Sequence, residues 1–108
     1  MDWLKHVDDL KAGKRVQIRP KGNSMEPKIS SGDLVTIEPI KEKDHRIAIV
    51  EKGDIVFCKV KGHYYIHLVE AVKQKMGCVL YQIGNNKKHT NGTIGADNIF
   101  GKITKVEK

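Results

Sequence analysis

Apolar residues at Trp3, Leu4, Val7 and Leu10 recur at helical spacing, which predicts one short amphipathic helix over residues 2–12. Asp2 is placed to cap its N-terminus, and Gly13 suits the left-handed position that ends it. The apolar face is expected to dock on the core of the domain. From residue 14 the period changes to two. Val16-Gln17-Ile18-Arg19 alternates as a half-buried strand does, and Pro20 and Gly22 stop it. Ser31-Gly32-Asp33 reads as a turn into a strand over residues 34–38, and Lys52-Gly53-Asp54 repeats that chemistry before a strand over residues 55–61. Lys61-Gly62 turns that strand back into residues 64–69, a hairpin. Further strands are expected over residues 78–83 and 99–106, with a short apolar run at 47–50, a charged loop at 41–46 and a polar loop at 84–92. One helix with seven or eight short strands makes the chain mainly β.

Length and charge change this picture little. The 108 residues suit one domain, divided as an N-terminal helix over 1–13 and a β domain over 14–108. The net charge is +7, but the lysines are spread along the whole chain. That pattern fits a solvated basic surface better than a nucleic-acid site, and no helix-turn-helix or zinc-finger spacing accompanies it. Cys58 and Cys78 make no disulfide framework, which points to a reduced, cytoplasmic setting. No apolar stretch approaches the length of a membrane span, and the N-terminus has no signal-peptide pattern.

The segment Gly22-Asn23-Ser24-Met25-Glu26-Pro27 has neither a strand nor a helix period. A serine between turn-formers, followed by a proline that blocks continuation, sits on a tight irregular loop. Such a loop can expose its hydroxyl, and neighbouring backbone N–H groups pointing the same way can hold an oxyanion. Downstream come Gly32-Asp33-Leu34-Val35, then Gly53-Asp54-Ile55-Val56-Phe57, then Tyr64-Tyr65-Ile66-His67-Leu68-Val69, then Ile83-Gly84-Asn85-Asn86, and last Ile99-Phe100-Gly101-Lys102-Ile103. This succession resembles the superfamily of signal peptidases and LexA-type repressor peptidases over residues 16–106. The resemblance implies a coiled, mostly antiparallel, barrel-like β-sheet with a shallow groove for a peptide or protein substrate. It implies Ser24 as nucleophile, the N–H groups of Ser24 and Met25 as oxyanion donors, and a later Lys or His as general base.

The matching strand position is His67, as in the Ser–His signal peptidases of the endoplasmic reticulum and archaea. Histidine accepts a proton near neutral pH without a large environmental shift. No lysine lies between Lys61 and Lys73 to take its place. The family holds the imidazole with an Asp after a Gly-Asp-Asn motif; this chain has Gly84-Asn85-Asn86, and Thr90 and Asn91 match the downstream Asp pair. Asn85 and Asn91 are therefore the candidates to orient His67. An amide can hold the tautomer, but it supplies no charge to the imidazolium.

Two functions remain side by side. One is a serine endopeptidase with a Ser24/His67 dyad. The other is a catalytically weak or inactive peptide-binding or regulatory module of the same fold, in which His67 is a satisfied core histidine. Signal peptidases carry a spanning helix ahead of Ser-Met, and the polar stretch before Ser24 holds none. That leaves a soluble relative, a trimmed form of an anchored protein, or a phage- or mobile-element-type protein. No cofactor is implied. His63, Tyr65 and His67 share a strand face near Cys58, but no Cys-x-x-Cys pair or carboxylate cluster makes that a metal site. Asp97 takes no role. Ala12-Gly13 resembles the Ala–Gly bond cut in LexA-type self-cleavage, and a helix C-cap explains it better.

Overall fold

The computed structural model describes residues 3–20, 28–40, 50–85 and 89–108. Helix α1 spans Trp3–Lys11 and ends at Gly13, whose φ of 83° and N–H bond to the Leu10 carbonyl form the expected left-handed cap. Among the described residues seven strands follow: β1 Val16–Ile18, β2 Leu34–Pro39, β3 Ile55–Val60, β4 His63–Lys75, β5 Cys78–Gly84, β6 Thr90–Gly95 and β7 Ile99–Glu107. They form one antiparallel sheet in the order β1-β2-β7-β3-β4-β5-β6. The mainly β architecture with one N-terminal helix is the one expected.

The sheet curls into a half-barrel, so each face has its own core. On the outer face α1 lays Val7 and Leu10 against Val16, Ile18, Val35, Ile37, Phe57 and Ile66. Trp3 joins them, its ring 5.2 Å from Phe57 and 6.2 Å from Tyr64. Leu4 does not: it is 65 % exposed. The buried stripe follows the spacing 3, 7, 10, and residue 4 is rotated about 100° away from residue 3. Inside the curl, Val56, Cys58 and Val60 meet Val69, Tyr81, Ile83, Ile94 and Ile99. β3 is thus buried on both faces, which accounts for its nearly unbroken apolar sequence. The curl brings β6 toward β3 closely enough that a Cβ on Gly92 would stand 2.9 Å from the Val60 side chain.

Both Gly-Asp turns form alike. Gly32 and Gly53 have φ of 88° and 96°, and each following Asp accepts the N–H of the residue three before it, Asp33 from Ser30 and Asp54 from Glu51, at 2.8 Å. The Lys61-Gly62 hairpin has φ of 51° and 84°, the two left-handed residues of a type I′ turn.

Two expectations change. The strand expected over 64–69 continues to Lys75, because β5 pairs with it as far as Lys75 opposite Cys78. The polar loop expected at 84–92 is shortened, because Thr90–Gly95 pairs with β5 as strand β6. The expected loop at 41–46 and most of the run at 47–50 lie outside the described residues; Val50 is buried in the inner core. Among the described residues, no helix is long and apolar enough to cross a membrane.

Candidate active site

His67 lies on β4 opposite Val56 of β3, on the face turned into the curl. Alternation along β4 sends Ile66 to the outer core and His67 and Val69 inward. The imidazole is only 6 % exposed. Its Nδ1 is 2.7 Å from Oδ1 of Asn91, which comes from β6, two strands away in the sheet. An amide oxygen only accepts, so Nδ1 carries the proton and the neutral ring has its lone pair on Nε2. The ring of Tyr65 stacks on the imidazole, centroids 4.8 Å apart and planes 26° from parallel. Burial pulls the His67 pKa below its ordinary value of 6.5; the Asn91 bond acts the other way, and His89 lowers it further.

Two bulges bring Asn91 to this position. In β6, Gly92 pairs with Ile83 and Thr90 with Gly84, so Asn91 has no partner across the ladder. An unmatched residue bends its strand and re-aims its side chain. In β4, Val69 pairs with Ile83 and Ala71 with Gln82, which leaves Glu70 unmatched. The Glu70 carboxylate accepts the hydroxyl of Thr90 at 2.8 Å and the amide of Gln82 at 3.4 Å. The two bulges are therefore tied to each other one residue before Asn91. Gly84 is required here, because a Cβ would run into the Glu70 carboxylate and lie 2.7 Å from the His89 carbonyl.

Asn85, the other candidate to orient His67, closes the loop that precedes β6. Its N–H donates to the His89 carbonyl at 2.9 Å, and its side-chain oxygen accepts the His89 N–H at 3.0 Å. Ser24 and Met25 lie outside the described residues. The chain on either side of them is anchored: Arg19 donates to the Gly32 carbonyl at 2.8 Å, and the Gly32 N–H donates to the Pro20 carbonyl at 3.1 Å. Lys108 bonds the Lys28 carbonyl at 3.3 Å and Asp33 at 2.8 Å, and Lys108 and the Ser30 N–H together hold the Asp33 carboxyl below its ordinary pKa. Cys58 is a core thiol that burial pushes up to about 12, so it stays protonated. Among the described residues no group of three His, Cys, Asp or Glu side chains is gathered to hold a metal ion.

Sequence reasoning noted that Tyr65 shares a face with His67 but gave it no role, and it passed over Glu70. The signal for Glu70 was available: a carboxylate follows Leu68-Val69 where the alternation breaks.

A curled antiparallel sheet with one short N-terminal helix is the fold the resemblance implied. The sequence profile of the Peptidase S24-like family matches residues 2–104. The chain belongs to that family. No curated protein matches it. As a Peptidase S24-like domain it has a peptidase fold, and the family match takes in α1 as well as the sheet.

Proposed function

We propose that this Peptidase S24-like domain is a serine endopeptidase with a Ser24/His67 dyad. Ser24 Oγ attacks the scissile carbonyl as its proton passes to His67 Nε2. The N–H groups of Ser24 and Met25 hold the oxyanion. Collapse of the tetrahedral intermediate breaks the C–N bond, and the Nε2 proton leaves with the amine. Water, deprotonated by the same nitrogen, then releases the acyl group from Ser24. The observation that supports the reading is the 2.7 Å contact between His67 Nδ1 and Asn91 Oδ1, which reserves Nε2 for proton transfer. Burial helps too: a depressed pKa keeps the base unprotonated at neutral pH. The unpaired thiols of Cys58 and Cys78 fit a reducing, cytoplasmic setting.

A fluorophosphonate probe tests the proposal. The wild-type protein should be labelled at Ser24, Ser24→Ala should stay blank, and His67→Ala should label at least about a hundredfold more slowly. A folded wild-type protein that never labels overturns it. One observation favours a second reading, a peptide-binding module: the residue on His67 is a neutral amide, which orients the ring without offering charge to an imidazolium. Under that reading the protein binds extended peptides equally well with Ser24→Ala, and no probe attaches.

A further inference from the structure

The Asn91 and Tyr65 contacts on His67 differ in kind. The hydrogen bond from Nδ1 to Asn91 fixes one direction in the ring plane and leaves the ring able to rock about that axis. Only a contact on the ring face stops the rocking, and Tyr65 supplies one. Strand β4 contains its own comparison. His63 and Tyr65 have the same two-residue separation on the same face as Tyr65 and His67, yet their rings stand 6.4 Å apart at 60°. Tyr65 and His67 close to 4.8 Å at 26°, within the range of offset stacking. Strand geometry alone does not produce that approach, because it is common to both pairs.

Resting on the reading of His67 as the base, we propose that Tyr65 is a positioning residue for it: the stacked phenol ring holds the plane of the imidazole and offers its π face to the imidazolium formed during proton transfer. This gives Asn91 and Tyr65 complementary roles. The amide sets the tautomer and carries no charge, so it cannot stabilise the positive ring. An aromatic face within about 6 Å of a cation can, through its quadrupole. Among the described residues, the groups beside the two rings on β3 and before β6 do not offer that stabilisation. Across β3, His67 faces Val56, and Tyr65 faces Cys58, whose thiol is neutral. His89, before β6, bears on the imidazole with the same sign of charge and works against the imidazolium.

The test uses the full chain in four forms: wild type, Tyr65→Phe, Tyr65→Leu and Tyr65→Val. The last keeps strand propensity should the leucine variant fail to fold. Nitrogen NMR of the His67 ring reads tautomer and titration midpoint without requiring catalysis, and fluorophosphonate labelling reads the rate. Tyr65→Leu or Tyr65→Val should keep the tautomer that Asn91 sets but shift and broaden the ring nitrogen signals, lower the midpoint and slow labelling about tenfold. Tyr65→Phe keeps the ring face and should restore the wild-type ring signals and most of the rate. Ring signals and midpoint that stay unchanged in the folded aliphatic variants overturn the proposal, whatever labelling does. If the ring signals respond in a protein that never labels at all, the positioning role of Tyr65 stands and the peptidase reading falls.

Discussion

Replacing Asn91 by aspartate tests the His67–Asn91 pair most directly. The substitution keeps the shape of the side chain and puts a carboxylate oxygen where the amide oxygen now lies, 2.7 Å from Nδ1. With charge centres about 4 Å apart and an effective dielectric near 20, the attraction to an imidazolium is about 4 kcal/mol. Desolvating the new carboxylate takes back part of this, and carboxylates beside opposite charges typically move a titration by about one to three pH units. At about 1.4 kcal/mol per pH unit, that is enough to reverse the sign of the wild-type perturbation. In the wild type, burial outweighs the Asn91 bond and leaves His67 below 6.5. In Asn91→Asp it should titrate above 6.5, as a carboxylate–imidazole pair. Two consequences follow for catalysis. Above the new midpoint, labelling of Ser24 should accelerate, because the developing imidazolium now faces a negative charge. Near pH 6 it should slow, because the base is already protonated. NMR titration of the His67 ring and the pH profile of fluorophosphonate labelling read these separately. A midpoint that stays or falls in Asn91→Asp would refute the assignment of Asn91 as the group on Nδ1.

Three further outcomes are expected. Phe57 is fully buried and touches the rings of Trp3, Tyr64 and Phe100, so Phe57→Ala should cost about 3–5 kcal/mol, measured by urea unfolding, and loosen α1. Met76 has φ of 52° in the β4–β5 turn and is 94 % exposed; Met76→Asn, better suited to a left-handed turn position before Gly77, should gain about 0.5–1 kcal/mol and raise the melting temperature by a few degrees. His67 binds its proton less readily folded than unfolded, so the unfolded chain takes up more protons as pH drops below about 6.5. The wild type should therefore lose stability as pH falls from there toward the lower folded pKa, and His67→Gln should lack that component in melts run across pH 7 to 4.

Most of the elements were readable from local pattern. Period 3.6 over residues 3–10 and Gly13 define α1; alternation defines β1; the paired Gly-Asp turns and the apolar runs after them define β2 and β3; Lys61-Gly62 defines the β3–β4 hairpin. These depend on neighbours within a few residues, where sequence and geometry correspond closely. His67 was also legible, since its strand position follows from the motif order. Strand β6 was not. Thr90-Asn91-Gly92-Thr93-Ile94-Gly95 holds one large apolar residue, and it is a strand because β5 offers it a ladder. The outer half of β4, Val72-Lys73-Gln74-Lys75, likewise has no buried face to impose alternation and exists through its pairing.

By itself, the chain determined that there would be one helix, a β-sheet, and a histidine on an inward strand position. The tertiary structure decided which of the two candidate amides, Asn85 or Asn91, reaches Nδ1 of that histidine. Asn91 is 24 residues away on a strand that does not adjoin β4, and it meets Nδ1 because the sheet curls and two bulges offset the register by single residues. Curl and bulges are set by packing across the whole inner core, and no local pattern of apolar and polar residues encodes them.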